Sequence, residues 1–294
     1  MFNLFKKKNK KWVRFYSLHP GVAELHPWIP ANKLHRKWRD DALKTYYNRT
    51  SKCPAVKLKN MWEHYSSKVS GNYDGNYDGL FNHAVTCPAL TGLMDTGWVV
   101  TVPADIIIKM TGDKKDFGWV AQVMFDSGGP TYVKGHVPEQ TEGIRDLVDQ
   151  QREVTEQTIK LELPWRVQAH KDIVFMQIPV PYYPEPRFSV ATGFVDPSYS
   201  YEVNMQLFWH AVEEGEYLIK AGTPLAQWIP MDRNLFNRKD WEVVIETAND
   251  EDIRNNKVMD YNRYMHFIEM VSLKERIDKH KAVLALNKNK QRFE

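Results

Sequence analysis

Between residues 92 and 231 the chain is written in short apolar runs that are β-branched and aromatic, cut at Gly, Pro and Asp. "GWVVTVPADIIIKMTGD" (97–113) and "DFGWVAQVMFD" (116–126) open the series. After a charged interval come "KLELPWRVQAH", "DIVFMQIPV", "RFSVATGFVD", "YEVNMQLFWH", "GEYLIKAG" and "PLAQWIPM". Runs of this length and composition, bounded by turn residues, predict paired strands in a compact antiparallel β domain. The interval itself, "PEQTEGIRDLVDQQREVTEQ" (138–157), places Ile144, Leu147, Val148 and Val154 at near-helical spacing.

The pattern differs on either side. "LHPGVAELHPWIPANKLHRKW" (18–38) is rich in proline and histidine and reads as an extended segment laid across another surface. "RKWRDDALKTYY" (36–47) and "KLKNMWEHYSSK" (57–68) each predict a short helix, and "GNYDGNYDG" (71–79) a tandem turn. From about Asp250 the residues Ile253, Val258, Tyr261, Met265, Ile268, Val271, Leu273, Ile277 and Val283 fall close to helical spacing among many charges. They predict a long amphipathic helix, serving to pack against the protein or as an arm toward a partner. The expected organisation is an irregular segment with short helices (1–84), a β-rich core (85–232) and a helical extension (233–294).

Composition narrows the class. The 294 residues are 43% hydrophobic and 26% charged, as in a soluble globular protein with a sizeable core. With 40 basic and 37 acidic side chains the net charge is only +3, so nucleic acid is not expected as the main partner. Basic clusters at Lys6–Lys11 and Asn287–Arg292 read as solvated ends or contacts to an anionic surface. The 2 cysteines, Cys53 and Cys87, each precede proline and are too few for a disulfide framework. "MFNLFKKKNKKWVRF" has early charge but no apolar stretch after it, unlike a signal peptide. No run reaches the roughly twenty apolar residues of a membrane span. A reducing cytoplasm is therefore expected, and the sequon at Asn48 is incidental.

"GFVDPSYSYE" (193–202) and "IKAGTPLAQWIP" (219–230) carry the most specific signal. A carboxylate on a turn can orient water toward phosphorus, and a tyrosine face can pack on a sugar. The competing reading is structural: glycine permits tight turns, and Asp and Gln cap them. Gly193, Val195, Asp196, Tyr199 and Glu202, followed by Gly222, Leu225, Ala226 and Gln227, resemble two successive motifs of the dUTPase and dCTP deaminase superfamily. "MQLFWHAVEEGEYLIKAG" resembles the hairpin between them. The resemblance implies a trimeric β-clip fold in which Asp196 orients water, Tyr199 packs on the sugar and Gln227 lies near the nucleotide. "KCPA" and "TCPALTGLMDTGWVVTVPADI", with these motifs and the terminal helix, also resemble a family of tailed phages and some bacteria that has no established activity.

Two departures weigh against hydrolysis. Where the enzymes carry Arg-Ser-Gly to hold phosphates, this chain has "PYYPEPRFSVAT", with Arg187 and Ser189 but no glycine between. It also has no glycine after Gly222, whereas the enzymes close a Gly-rich arm over the triphosphate. Phosphate cradling depends on backbone amides that glycine exposes.

Other candidates are thinner. His170 and Asp172 with His210 or His266 have the residue types of a non-haem iron facial triad, though His170–Asp172 falls where a hairpin turn is expected. "DGNYDG" matches half a calcium loop, but position twelve is Val85. His19, His26 and His35 fit no common zinc spacing.

The expected protein is thus a mainly β, dUTPase-like β-clip chain, phage-borne, acting by ligand binding or assembly as a homo-oligomer, with a trimer implied by resemblance. Its ligand residues would be Tyr199, Gln227 and Arg187, with Asp196 the catalytic candidate and no resident cofactor or metal. The alternatives are a nucleotide pyrophosphohydrolase or deaminase relative, using magnesium, and a virion component. The host cytoplasm or the virion is the expected location.

Overall fold

The computed structural model describes residues 10–49, 84–121, 132–147 and 152–256. The chain divides into two compact units, residues 1–34 with 94–241, and residues 35–93 with 242–294.

The first unit is a set of antiparallel sheets. In chain order the strands are β1 (Val13–Ser17), β2 (Ile29–Pro30), β3 (Trp98–Thr101), β4 (Ile106–Met110), β5 (Phe117–Ala121), β6 (Val133–Gly135), β7 (Ile159–Ala169), β8 (Ile173–Pro179), β9 (Phe188–Val190), β10 (Gly193–Val195), β11 (Glu202–Trp209), β12 (Gly215–Ile219) and β13 (Pro224–Asp232). One five-stranded sheet runs β1-β7-β11-β9, with β6 also on β7; a second runs β10-β8-β13-β3-β2; a three-stranded sheet runs β12-β4-β5. Long β7 serves as the spine of the first sheet: β11 lies along one side, while β1 and β6 pair with its two ends.

Alternation sets the inward faces. In β4, Ile106, Ile108 and Met110 are buried while Lys109 points out, the period-two signature of a half-covered strand. These side chains join Leu161, Val167, Phe175, Met205, Leu207 and Trp228 in one hydrophobic core. Between the two larger sheets lies an aromatic layer. Phe15 of β1 stacks on Trp28 at 3.9 Å between ring centroids and meets Trp98, Phe175 and Trp228 edge-on or tilted. Such pairs add about 0.5–1.5 kcal/mol each beyond the area they bury. The Trp228 indole N–H donates to Gln177 Oε1 at 2.9 Å, and Gln177 Nε2 donates to the Ala191 carbonyl at 2.9 Å, so Trp228, Gln177 and Ala191 form one hydrogen-bonded chain.

Gly97 admits the entry into β3. Its φ is +81°, and a Cβ there would stand 2.0 Å from the Trp228 carbonyl oxygen, so only glycine fits.

The structure departs from the sequence expectation in four places. Val13–Ser17, within the segment read as irregular, is a strand paired with β7. β7 and β8 do not form a hairpin: they belong to different sheets, and residues 170–172 are the corner between them, closed by the Ile173 N–H to the His170 carbonyl at 2.8 Å. β11 and β12 likewise do not pair with each other, since β12 takes β4 as its partner. Residues 138–147 form two 3-10 turns, Pro138–Gln140 and Arg145–Leu147, in place of an amphipathic helix. Gly143 between them has φ +80°, which interrupts a helix, and Ile144 and Leu147 stay exposed.

In the second unit the described residues include α2 (Lys37–Arg49), preceded in the chain by a one-turn α1 (Val22–Leu25) of the first unit. The chain then enters α3 (Pro88–Asp95), and α2 covers the predicted 36–47 helix closely. Near the C-terminus, residues 250–256 are helical. Asn249 Oδ1 accepts from the N–H of Glu251 and of Asp252, and Asp252 Oδ2 accepts from the Asn249 N–H at 2.9 Å, a reciprocal cap that starts the helix where the periodicity placed it. The rest of that predicted helix, the 57–68 helix, the 71–79 turns and Cys53 lie outside the described residues.

Candidate functional site

β8 fixes the neighbourhood of Asp196. β10 and β13 flank it on opposite sides, with Val195 opposite Phe175 and Asp232 opposite Ile173. The residues that follow, Asp196 and Arg233, therefore emerge at the same end of β8.

There they join. Arg233 donates through Nη2 to Asp196 Oδ1 at 2.6 Å and through Nη1 to Oδ2, a two-pronged contact. Two further donors are used as well: Nε goes to the Lys171 carbonyl at 2.9 Å, and Nη2 also reaches Ser198 Oγ at 3.2 Å. Asp196 Oδ1 further accepts from the Ser198 N–H at 2.9 Å and hydroxyl at 2.6 Å, so "DPS" forms an Asx turn. The Arg233 hydrogen bonds, followed by those from Ser198, hold the Asp196 carboxyl far below the usual carboxylate range.

A cleft of about 330 Å³ opens beside this pair. Trp12, Gln168, His170, Lys171, Ser198 and Arg233 are among its lining residues. Trp12 is positioned by its carbonyl, which accepts from the His170 N–H at 2.9 Å. The walls therefore combine an indole, amide and hydroxyl groups, and two cationic side chains, one of which is neutralised by Asp196.

The other residues singled out by the motifs stand apart. Gln227 is fully buried in the middle of β13, opposite Ile178, and its Nε2 donates to the Thr96 carbonyl at 2.7 Å. Five positions along β8 separate Ile178 from Ile173, which places Gln227 on the order of 15 Å from the Asp196 end. Tyr199 follows the Asx turn and is 93% exposed. Arg187 is clasped by Glu185, through Nε at 2.7 Å and Nη2 at 2.5 Å, and also donates to the Leu218 carbonyl. Glu185 raises the Arg187 pKa and neutralises its charge. Tyr199 is tied to Asp196 only through its backbone, its N–H donating to the Asp196 carbonyl at 3.0 Å, while Gln227 and Arg187 bond to Thr96 and Glu185.

No protein-family model matches this chain, and no curated protein matches it. The candidate site rests on its own geometry.

Among the described residues, no group of three or more His, Cys, Asp and Glu is placed to hold a metal ion. His170 Nδ1 lies 3.5 Å from Asp172 Oδ2, but His210 is bonded to Ser189 instead, and His266 is outside the described residues. No helix among the described residues is long and apolar enough to cross a membrane.

Arg233, the residue that dominates the environment of Asp196, belongs to neither motif in the sequence. The contact spans 37 positions and arises only because both residues follow strands paired with β8.

Proposed function

We propose that this chain is a phage-borne, catalytically diverged β-clip protein that acts by ligand binding or assembly, without ordinary dUTPase activity. The observation that carries this reading is the Asp196–Arg233 pair. A general base must take up a proton from water, and the Arg233 guanidinium bonded to both Asp196 oxygens opposes that uptake. Its depressed pKa makes it a still weaker base. The pairing of Arg187 with Glu185 supports the same reading, since a neutralised guanidinium attracts a phosphate less.

The cleft beside Asp196 is the proposed ligand site. An indole for stacking next to the Lys171 ammonium suits a small anionic molecule with a flat ring, a nucleotide among them. Calorimetric titration with deoxynucleotides, on the wild type and Lys171→Ala, tests this. The expected result is binding that weakens about tenfold in the variant, equivalent to roughly 1.4 kcal/mol. Binding lost in Tyr199→Ala and unchanged in Lys171→Ala would place the ligand elsewhere.

Assembly has separate support. Phe194 and Phe236 meet edge-to-face at 4.5 Å, yet are 57% and 46% exposed, and Tyr201 nearby in sequence is 56% exposed. Aromatic surface of this kind is characteristic of subunit contacts. A homo-oligomer, with a trimer as the β-clip arrangement, in the host cytoplasm or as a virion component, is the corresponding proposal. Sedimentation showing a strict monomer would remove it, and mass spectrometry of particles separates the two locations. The alternative, a pyrophosphohydrolase or deaminase relative using magnesium, requires substrate to release Asp196 from Arg233.

A further inference from the structure

We infer that Ser189 and His210 form a nucleophilic dyad able to transfer the acyl group of a small carboxylic ester. It is independent of the cleft beside Asp196.

The register creates the pair. β9 and β11 align Ser189 with Phe208, Val190 with Leu207 and Phe188 with Trp209. Phe188, Val190, Leu207 and Trp209 belong to the core, so Ser189 points to the opposite face. His210, two residues beyond Phe208, shares that face and reaches Ser189 diagonally. Its backbone is fixed by its N–H to the Arg187 carbonyl at 2.7 Å. The Ser189 hydroxyl oxygen lies 2.8 Å from His210 Nε2. Both residues are partly exposed, on the edge strand and next to it.

The neighbours assign the hydrogens. His210 Nδ1 lies 3.1 Å from the Glu153 carbonyl oxygen, which can only accept. In the neutral ring Nδ1 therefore carries the hydrogen and Nε2 is bare, so the Ser189 hydroxyl donates to Nε2. This is the protonation a serine nucleophile and its base require, with a backbone carbonyl in the orienting position that an acid commonly fills. Arg152 Nη2 adds a hydrogen bond to Ser189 Oγ at 3.2 Å, while its Nη1 donates to the Pro186 carbonyl at 3.1 Å. A guanidinium so close to the nucleophile is placed to stabilise an oxyanion formed on the adjacent carbon.

The step balances within these groups. Ser189 Oγ bonds to the ester carbon as its proton passes to His210 Nε2, giving a tetrahedral oxyanion beside Arg152. Collapse breaks the bond to the alcohol oxygen, which leaves with the proton from Nε2. Water, deprotonated by Nε2, then attacks the acyl-serine, releasing the acid and restoring the hydroxyl.

The test uses a fluorophosphonate, which bonds to a nucleophilic serine with loss of fluoride. The full chain is incubated with the probe, and intact mass and peptide mapping follow. One adduct on Ser189 is expected, with p-nitrophenyl acetate cleaved in an initial burst. Ser189→Ala should abolish both, and His210→Gln, which keeps a hydrogen-bonding side chain, should slow labelling at least 100-fold. A wild-type protein left unlabelled at Ser189, or labelled equally fast in His210→Gln, overturns the inference.

Discussion

The guanidinium of Arg233 holds both carboxylate oxygens of Asp196, 37 residues earlier in the chain. The two residues follow β13 and β10, which both pair with β8 between them. The pair therefore ties the ends of three strands, and it does so with the one carboxylate that the motif marks for chemistry.

Acid should weaken the protein through this carboxylate. The folded pKa of Asp196 lies below its unfolded value, so the unfolded chain takes up the proton first as pH falls. Its contribution is full above the ordinary carboxylate value of about 4 and is lost progressively below it. Wild type should thus exceed Asp196→Ala in denaturation midpoint at pH 7, with the gap narrowing below about pH 4. A gap that widens in acid contradicts the ion pair.

Gly97→Ala should be among the most damaging single-methyl additions. The new Cβ meets the Trp228 carbonyl at 2.0 Å in a left-handed backbone, and both faults act together. A loss on the order of 2–4 kcal/mol is expected in urea denaturation. A loss below about 0.5 kcal/mol would mean that β3 can enter its sheet without this close approach.

Gln177→Leu should destabilise by roughly 1–3 kcal/mol. It strands the Trp228 indole N–H, which is fully buried, along with the Ala191 carbonyl. Trp228→Phe in the same background should recover part of the loss, because it removes the stranded donor. A double-mutant cycle in urea measures this, and strict additivity would argue against the chain of bonds.

Much of the fold was legible because strand runs announce themselves by residue type. "IIIKM" shows its buried face by alternation alone, and the apolar spacing from about Asp250 meets a helix at residues 250–256. Partners were less legible. The run "QAHKDIV" has the length of a hairpin, yet His170–Asp172 turns the chain from one sheet into the other, since period two specifies a face and not a neighbour. The site was hidden for the same reason. Asp196 was visible within its motif, but Arg233 becomes its partner only once β8 is known to pair with both flanking strands. In the sequence Ser189 stands in a segment that departs from the phosphate-holding pattern, and His210 has only the residue type of a metal ligand. Their 2.8 Å contact depends on the β9–β11 register.

The most direct measurement of the central claim is phosphate and pyrophosphate release from deoxynucleoside triphosphates with magnesium, by wild type and by Asp196→Ala. The expected result is the same negligible rate for both, because the Asp196 carboxylate is engaged by Arg233 and has no base role to lose. Turnover by the wild type that falls about 100-fold or more in Asp196→Ala would contradict the account and make Asp196 a catalytic base.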